Sequence, residues 1–196
     1  MRNYVIMLFS GQNDSSMEAI RFAEGRPECR LDLLFIENIG IRPSCGPPKG
    51  AAKLLAARHS VIKRLWSVDG RRLQHHYLSE MPADLALALG CGIICAACRA
   101  VRRTAIQHVA QSIGAQPATP TEIEVAKAGA GATPAGAAKA FPLLDPEKRC
   151  AMAHLHAHTA PIPDSIRQEL SQWEMALMAD GALALDEMLA LRGYAL

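Results

Sequence analysis

A chain of 196 residues, half of them hydrophobic and a fifth charged, has enough apolar material for one packed domain and excludes global disorder. Its formal net charge of +2 does not indicate a nucleic-acid partner by charge alone, nor does it exclude one. The longest apolar stretch, residues 85–98, is broken by glycines and falls short of the ~20 residues a spanning helix needs, so no membrane segment is expected.

Residues 4–9, Tyr-Val-Ile-Met-Leu-Phe, form a continuous apolar run of the kind that makes a strand buried on both faces. The run is too short for a secretory leader. The six cysteines, at 29, 45, 91, 95, 98 and 150, are therefore expected as reduced thiols in a cytoplasmic protein. A polar turn follows, and then a helix whose buried side carries Met17, Ile20 and Ala23. Asp14 or Ser15 is expected to cap it, with Glu18 three residues after Ser15 completing a capping box. Gly25 and Pro27 end it. Residues 31–36 give a second strand and close a right-handed βαβ unit.

Prolines at 43, 47 and 48 make residues 42–50 a loop. Apolar spacing then predicts a helix over 51–66, a break at Gly70 and a third strand over 72–78. Pro82 opens another helical region, and residues 93–113 read as one helix closed by Gly114. Residues 122–126 alternate like a fourth strand, residues 129–140 are low-complexity, and 165–191 give a C-terminal helix or helix pair. This alternation predicts an α/β three-layer sandwich with a mostly parallel central sheet. The expected division is a nucleotide-binding domain over 1–147 and a helical C-terminal extension over 148–196. Leu170, Trp173, Leu177, Leu183, Leu185, Met188 and Leu189 would make that extension a lid over the domain or a homodimer contact.

The candidate site is the turn Ser10-Gly11-Gln12-Asn13-Asp14-Ser15-Ser16. Between a strand and a helix, such a turn aims backbone N–H groups and the positive end of the helix dipole at one spot, which suits phosphate. It resembles the Ser-Gly-Gly-x-Asp-Ser signature of the PP-loop ATP pyrophosphatase superfamily. Ser10, Gly11, Asp14 and Ser15 match, while Gln12 replaces the second glycine. Ile36 stands where such proteins hold adenine through backbone groups. Cys95-Ala96-Ala97-Cys98-Arg99 is similar to the Cys-x-x-Cys-Lys/Arg helix of the members related to RNA thiolation, and residues 141–145 to a later Pro-Leu-Leu turn.

The resemblance spans roughly residues 4–147 and implies a fold of the HUP/PP-loop type. It implies ATP-dependent adenylation of an acceptor, tRNA or a small molecule, with AMP and pyrophosphate released. ATP and Mg²⁺ would be bound by Ser10, Gly11, Gln12, Asn13, Ser15, Ser16, Ile36 and Arg99. Asp14 would act through Mg²⁺ or as a helix cap, and Cys95 and Cys98 would carry sulfur or a cluster. Gln12 narrows the pocket or donates its amide to a phosphate. It also favours the rival reading, a non-catalytic adenine-nucleotide-binding module.

Cys91, Cys95 and Cys98 lie at i, i+4 and i+7, on one helix face. Their spacing equals that of radical S-adenosylmethionine enzymes, but Ala97 stands where an aromatic residue is usual and the motif lies mid-chain, so that reading is rejected. Three alternatives stand: an iron–sulfur cluster on all three thiolates, zinc on Cys95 and Cys98 with outside ligands, or plain packing of small apolar side chains. The first two make the protein an iron–sulfur or metal-binding scaffold. Arg99, Arg102 and Arg103 that follow suit phosphate, RNA or simply solvent. Cys150, His154, His156 and His158 would share a metal only on an extended segment. His75 and His76 are assigned no role, and Trp66 and Trp173 are read as packing anchors.

Overall fold

The structure is a computed structural model that describes residues 4–39, 46–118, 163–179 and 184–196. The expected strand at 122–126, the low-complexity segment, the 141–145 turn and the cluster of Cys150, His154, His156 and His158 lie outside these residues.

The elements in chain order are β1 (Tyr4–Leu8), α1 (Asn13–Gly25), β2 (Arg30–Glu37), α2 (Lys49–Arg58), β3 (Ile62–Asp69), α3 (Arg71–Ser79) and α4 (Ala83–Leu89). A 3-10 turn (Gly90–Gly92), α5 (Ile93–Ile113), β4 (Gln116–Pro117), α6 (Asp164–Ala179), α7 (Leu185–Met188) and β5 (Arg192–Ala195) follow. The described sheet runs β4-β1-β2-β3-β5. Its first four strands are parallel, and β5 lies antiparallel to β3. The expected α/β architecture with a mostly parallel sheet is therefore present.

Alternation along the strands divides the core in two. Val5, Met7, Phe9, Leu31, Leu33 and Leu65 face α1 and α2, packing on Ala19, Phe22, Ala52 and Leu55. Ile6, Leu34, Ile36 and Val68 face the other way, onto α3, α4, α5 and α6 through Leu73, Tyr77, Leu85, Val101, Val109 and Trp173. Both faces are covered, as a parallel sheet requires. Among the described residues, no single helix is long and apolar enough to cross a membrane.

Three expectations are corrected. Residues 62–66 belong to β3 rather than to a helix. The register slips beside Leu31 and Asp32, where a bulge leaves Lys63 without a rung partner. Ile62 and Leu65, three apart, are thereby buried on the same side, and on paper this imitates helical spacing. Residues 72–78 lie in α3 rather than in a strand, because Leu73 and Tyr77, one helical turn apart, are both fully buried. The third correction concerns α1, which starts at Asn13 with Gln12 as its N-cap, so neither Asp14 nor Ser15 caps it, and whose Met17, expected on the buried side, is exposed while Ala19, Phe22 and Ala23 face the core. Ser15 is already the third helical residue, and its hydroxyl turns back to the Gln12 carbonyl at 3.1 Å.

The described part of 148–196 is built into the same core and sheet. Leu170, Trp173 and Leu177 of α6 are buried against α4 and α5. Glu174 of α6, 1% exposed, accepts from Arg99 Nε and, at 2.6 Å, from Arg103 Nη1 of α5. β5 extends the sheet because residue 193 is glycine: a Cβ there would lie 2.7 Å from the Trp66 ring.

Candidate functional site

From β1 to β3 the chain steps one way across the sheet, with α1 and α2 on one face. It then returns over the other face through α3, α4 and α5 to place β4 on the far side of β1. The gap above β1 and β4 is thus the point where strand order reverses, and ligands of open α/β sheets bind there, outside the carboxyl ends of the strands. The turn from Ser10 to Gln12 leaves β1 at that point.

Local chemistry shapes this turn. Gly11 has φ +77°, a left-handed conformation that costs other residues strain. A Cβ on Gly11 would also lie 2.3 Å from Pro48 Cβ, so the turn presses directly on the residue that opens α2. The Ser10 and Ser15 hydroxyls lie 2.9 Å apart. Ser15 Oγ accepts from Ser10 N–H at 3.2 Å, and Ser10 Oγ accepts from Gln12 N–H at 3.3 Å. Gln12 caps α1 without a side-chain hydrogen bond. The N–H groups of the first helical turn have no carbonyl partner within the helix, and at an exposed terminus they face solvent or an anion. Gln12 and Asn13 are exposed there, Ser16 is half-buried, and Asp14 occupies the second helical position.

Ile36 lies on the neighbouring strand. Phe9 N–H donates to Leu34 O at 2.7 Å, and Gly70 N–H donates to Glu37 O at 2.9 Å. In a parallel ladder successive residues direct their backbone groups to alternate neighbours. The N–H and C=O of Ile36 therefore point toward β1, past its last rung, beside the Ser10–Gln12 turn. The Ile36 side chain is buried on the α5 face.

The cysteine helix reaches the same edge from the opposite face. Because α5 feeds the parallel strand β4, its N-terminal half lies at the carboxyl edge. Val101 marks the level: its Cγ1 would be 3.0 Å from a Cβ on Gly70, the residue that follows β3. Cys98 and Cys95 are one and two turns closer to the N-terminus of α5, and both are buried. The structure thus brings Ser10 and Cys98 to one edge but to different faces, α1 on one side and α5 on the other. Arg99 is committed to Glu174 of α6, an ion pair that ties α6 down. The expectation of three cysteines on one helix face is corrected: Cys91 lies in the 3-10 turn before α5, so only Cys95 and Cys98 belong to that helix, and the side chain of Cys91 is not among those described. Among the described residues, no three His, Cys, Asp or Glu side chains converge as a metal site.

Two groups of residues went unpredicted. At the carboxyl edge, Asn38, with φ +57°, donates from Nδ2 to Asp69 Oδ2 at 2.9 Å. Asp69 Oδ1 accepts from Arg71 N–H at 2.9 Å, so one carboxylate ties the ends of β2 and β3 beside the site. The pair Asp69-Gly70 was readable as a turn, but its partner on β2 was not. At the amino edge, Asp32 is fully buried. It accepts from Tyr4 Oη at 2.7 Å, from Trp66 Nε1 at 2.8 Å, and from Arg30 Nε and Nη2 at 3.2 and 3.1 Å. Burial, and then the hydrogen bond to Asp32, push the Tyr4 phenol up to about 12. The hydrogen bond to Asp32 likewise raises the pKa of Arg30 above its usual value. The one available signal was an aspartate inside the apolar run of β2.

No protein-family model, curated protein or solved structure matches the chain.

Proposed function

We propose that the carboxyl edge above β1 is an adenine-nucleotide site, that the fold is of the HUP/PP-loop type, and that the protein uses ATP to adenylate an acceptor. One observation carries this reading. A Ser-Gly turn with a left-handed glycine leads into the N-terminus of α1, whose N-cap Gln12 makes no side-chain cap hydrogen bond, at the point where strand order reverses. The donors there suit phosphate: the exposed Ser10 hydroxyl and the N–H groups of the first helical turn, with the buried Ser15 hydroxyl bracing Ser10 from behind. Ile36 supports the adenine side, since its backbone donor and acceptor face the same gap.

In the proposed reaction an acceptor oxygen attacks the α-phosphorus and the bond between the α and β phosphates breaks. Pyrophosphate leaves toward the start of α1, where fixed dipoles stabilise the charge as it develops. When bound, Mg²⁺ would neutralise phosphate charge, with Asp14 in the first turn of α1 as the residue to hold it. A nucleophile then displaces AMP. Cys95 and Cys98, on the same edge, stand on the acceptor side.

A second reading, a nucleotide-binding module without turnover, is favoured by Gln12. Its side chain stands on the exposed N-cap, where glycine would leave the approach of pyrophosphate open. Assaying AMP and pyrophosphate release from ATP with oxygen acceptors separates the two. The catalytic reading expects release that Asp14→Ala abolishes and Gln12→Gly increases. Binding without release, unchanged in Gln12→Gly, supports the module. Absence of nucleotide binding defeats both.

A further inference from the structure

We propose that the amino edge of the sheet, opposite the nucleotide site, is a binding surface for single-stranded nucleic acid. The bulge in β3 creates its charge. Ile62 and Leu65 are both buried toward α1 and α2, so the two residues between them, Lys63 and Arg64, are both exposed and turned toward the other face. Without the bulge, alternation would put only one of them there. Arg58, at the end of α2, reaches the same edge. None of these three cations makes an ion pair among the described residues. The nearby Arg26 is partnered by Glu28 at 4.0 Å and adds nothing.

The aromatic part is built as firmly. The Arg30 guanidinium lies 4.2 Å from the centre of the Tyr4 ring, and that of Arg64 lies 5.7 Å from the centre of the Trp66 ring. Asp32 holds Tyr4, Arg30 and Trp66 from beneath, so the Arg30–Tyr4 stack and the Trp66 ring are set before any ligand arrives, with the exposed Arg64 guanidinium beside that ring. The Arg30 side chain keeps 37% of its surface exposed, which leaves part of it within reach of a base. Gly193 and Ala195 of β5 extend this face with little side-chain bulk.

Cations that track phosphates, set among planar groups that stack on bases, are what a single strand requires. An anionic membrane would be served by the cations alone and would gain nothing from the ordered stacks. The mild net charge of the chain is no objection, because the excess is local and the Asp32 carboxylate beneath it is paired with Arg30.

The test is fluorescence anisotropy of a labelled 12-nucleotide oligouridylate against the full chain from 50 to 300 mM salt. The competitors are a duplex of equal length and vesicles containing phosphatidylserine. The expected result is saturable binding that weakens linearly on a log–log plot and resists both competitors. Each strand phosphate contact contributes a slope of about 0.7, so Lys63→Ala with Arg64→Ala should lower the slope by about 1.4. Lys63→Ala combined with Arg64→Lys should restore half of that loss. Both positions are exposed, and an unchanged unfolding midpoint confirms that the variants remain folded. No binding at 50 mM salt, an unchanged slope in the double variant, or equal displacement by vesicles would overturn the proposal.

Discussion

Replacing Gly11 by alanine tests how the turn from Ser10 to Gln12 is held. Two separable costs arise there. The left-handed backbone, φ +77°, strains any residue with a Cβ by about 1–2 kcal/mol. The added carbon would also sit 2.3 Å from Pro48 Cβ and 2.8 Å from its Cγ. A proline ring cannot turn aside, so the turn and the start of α2 must separate, an overpacking cost of about 1–3 kcal/mol. Together Gly11→Ala should lose about 2–5 kcal/mol. Gly114, the left-handed residue that ends α5 at φ +67°, provides the control: a Cβ there meets open space, so Gly114→Ala should lose the strain alone, about 1–2 kcal/mol. Urea unfolding of the two variants measures the difference, and nucleotide titration should show weakened binding for Gly11→Ala only. Equal losses of stability would show that Pro48 does not brace the turn.

Asp32→Asn replaces an acceptor-only carboxylate that serves three side chains with an amide that must aim its NH₂ at one of their donors. A loss of about 3 kcal/mol is expected in urea unfolding, and a loss below 1 kcal/mol would contradict the role assigned to Asp32. Glu174→Ala leaves Arg99 and Arg103 facing a buried gap. Because both guanidinia can partly reach water, the expected cost is near the lower end for a broken buried pair, about 3 kcal/mol, measured as the unfolding midpoint. The Tyr4 phenol titrates at about 12 when folded against 10.0 for an ordinary tyrosine, so the fold favours its neutral form. Stability should therefore hold below pH 10 and fall as pH rises toward 12, and Tyr4→Phe should flatten that decline in urea unfolding at successive pH values.

How much of this was legible in the chain depended on how local the determinant was. Apolar runs and their punctuation by Gly25 and Gly114 mark β1, α1, β2 and α5, because those elements are set by sequence-neighbouring residues. β3 was hidden by its own bulge, which gives a strand the spacing of a helix. β5 was hidden because a four-residue edge strand containing glycine carries almost no pattern, and what fixes it is the Trp66 ring on another strand. The candidate site divides the same way. Ser10, Gly11 and Ser15 are readable as a strand-to-helix turn. That this turn lies where strand order reverses depends on β4, two residues long, and its brace comes from Pro48, neither of which the turn itself announces. Arg99 shows the opposite failure: its phosphate-like context near Cys98 gave no sign of Glu174, 75 positions away.

The central claim, a nucleotide site at the turn from Ser10 to Ser15, is tested most directly by calorimetric titration with ATP, with and without Mg²⁺, for the wild type and Ser10→Ala. Saturable 1:1 binding of ATP is expected, weakened about tenfold or more when the Ser10 hydroxyl is lost, as for a hydrogen bond to a charged group. No heat of binding under either condition, or binding that Ser10→Ala leaves unchanged, would contradict it.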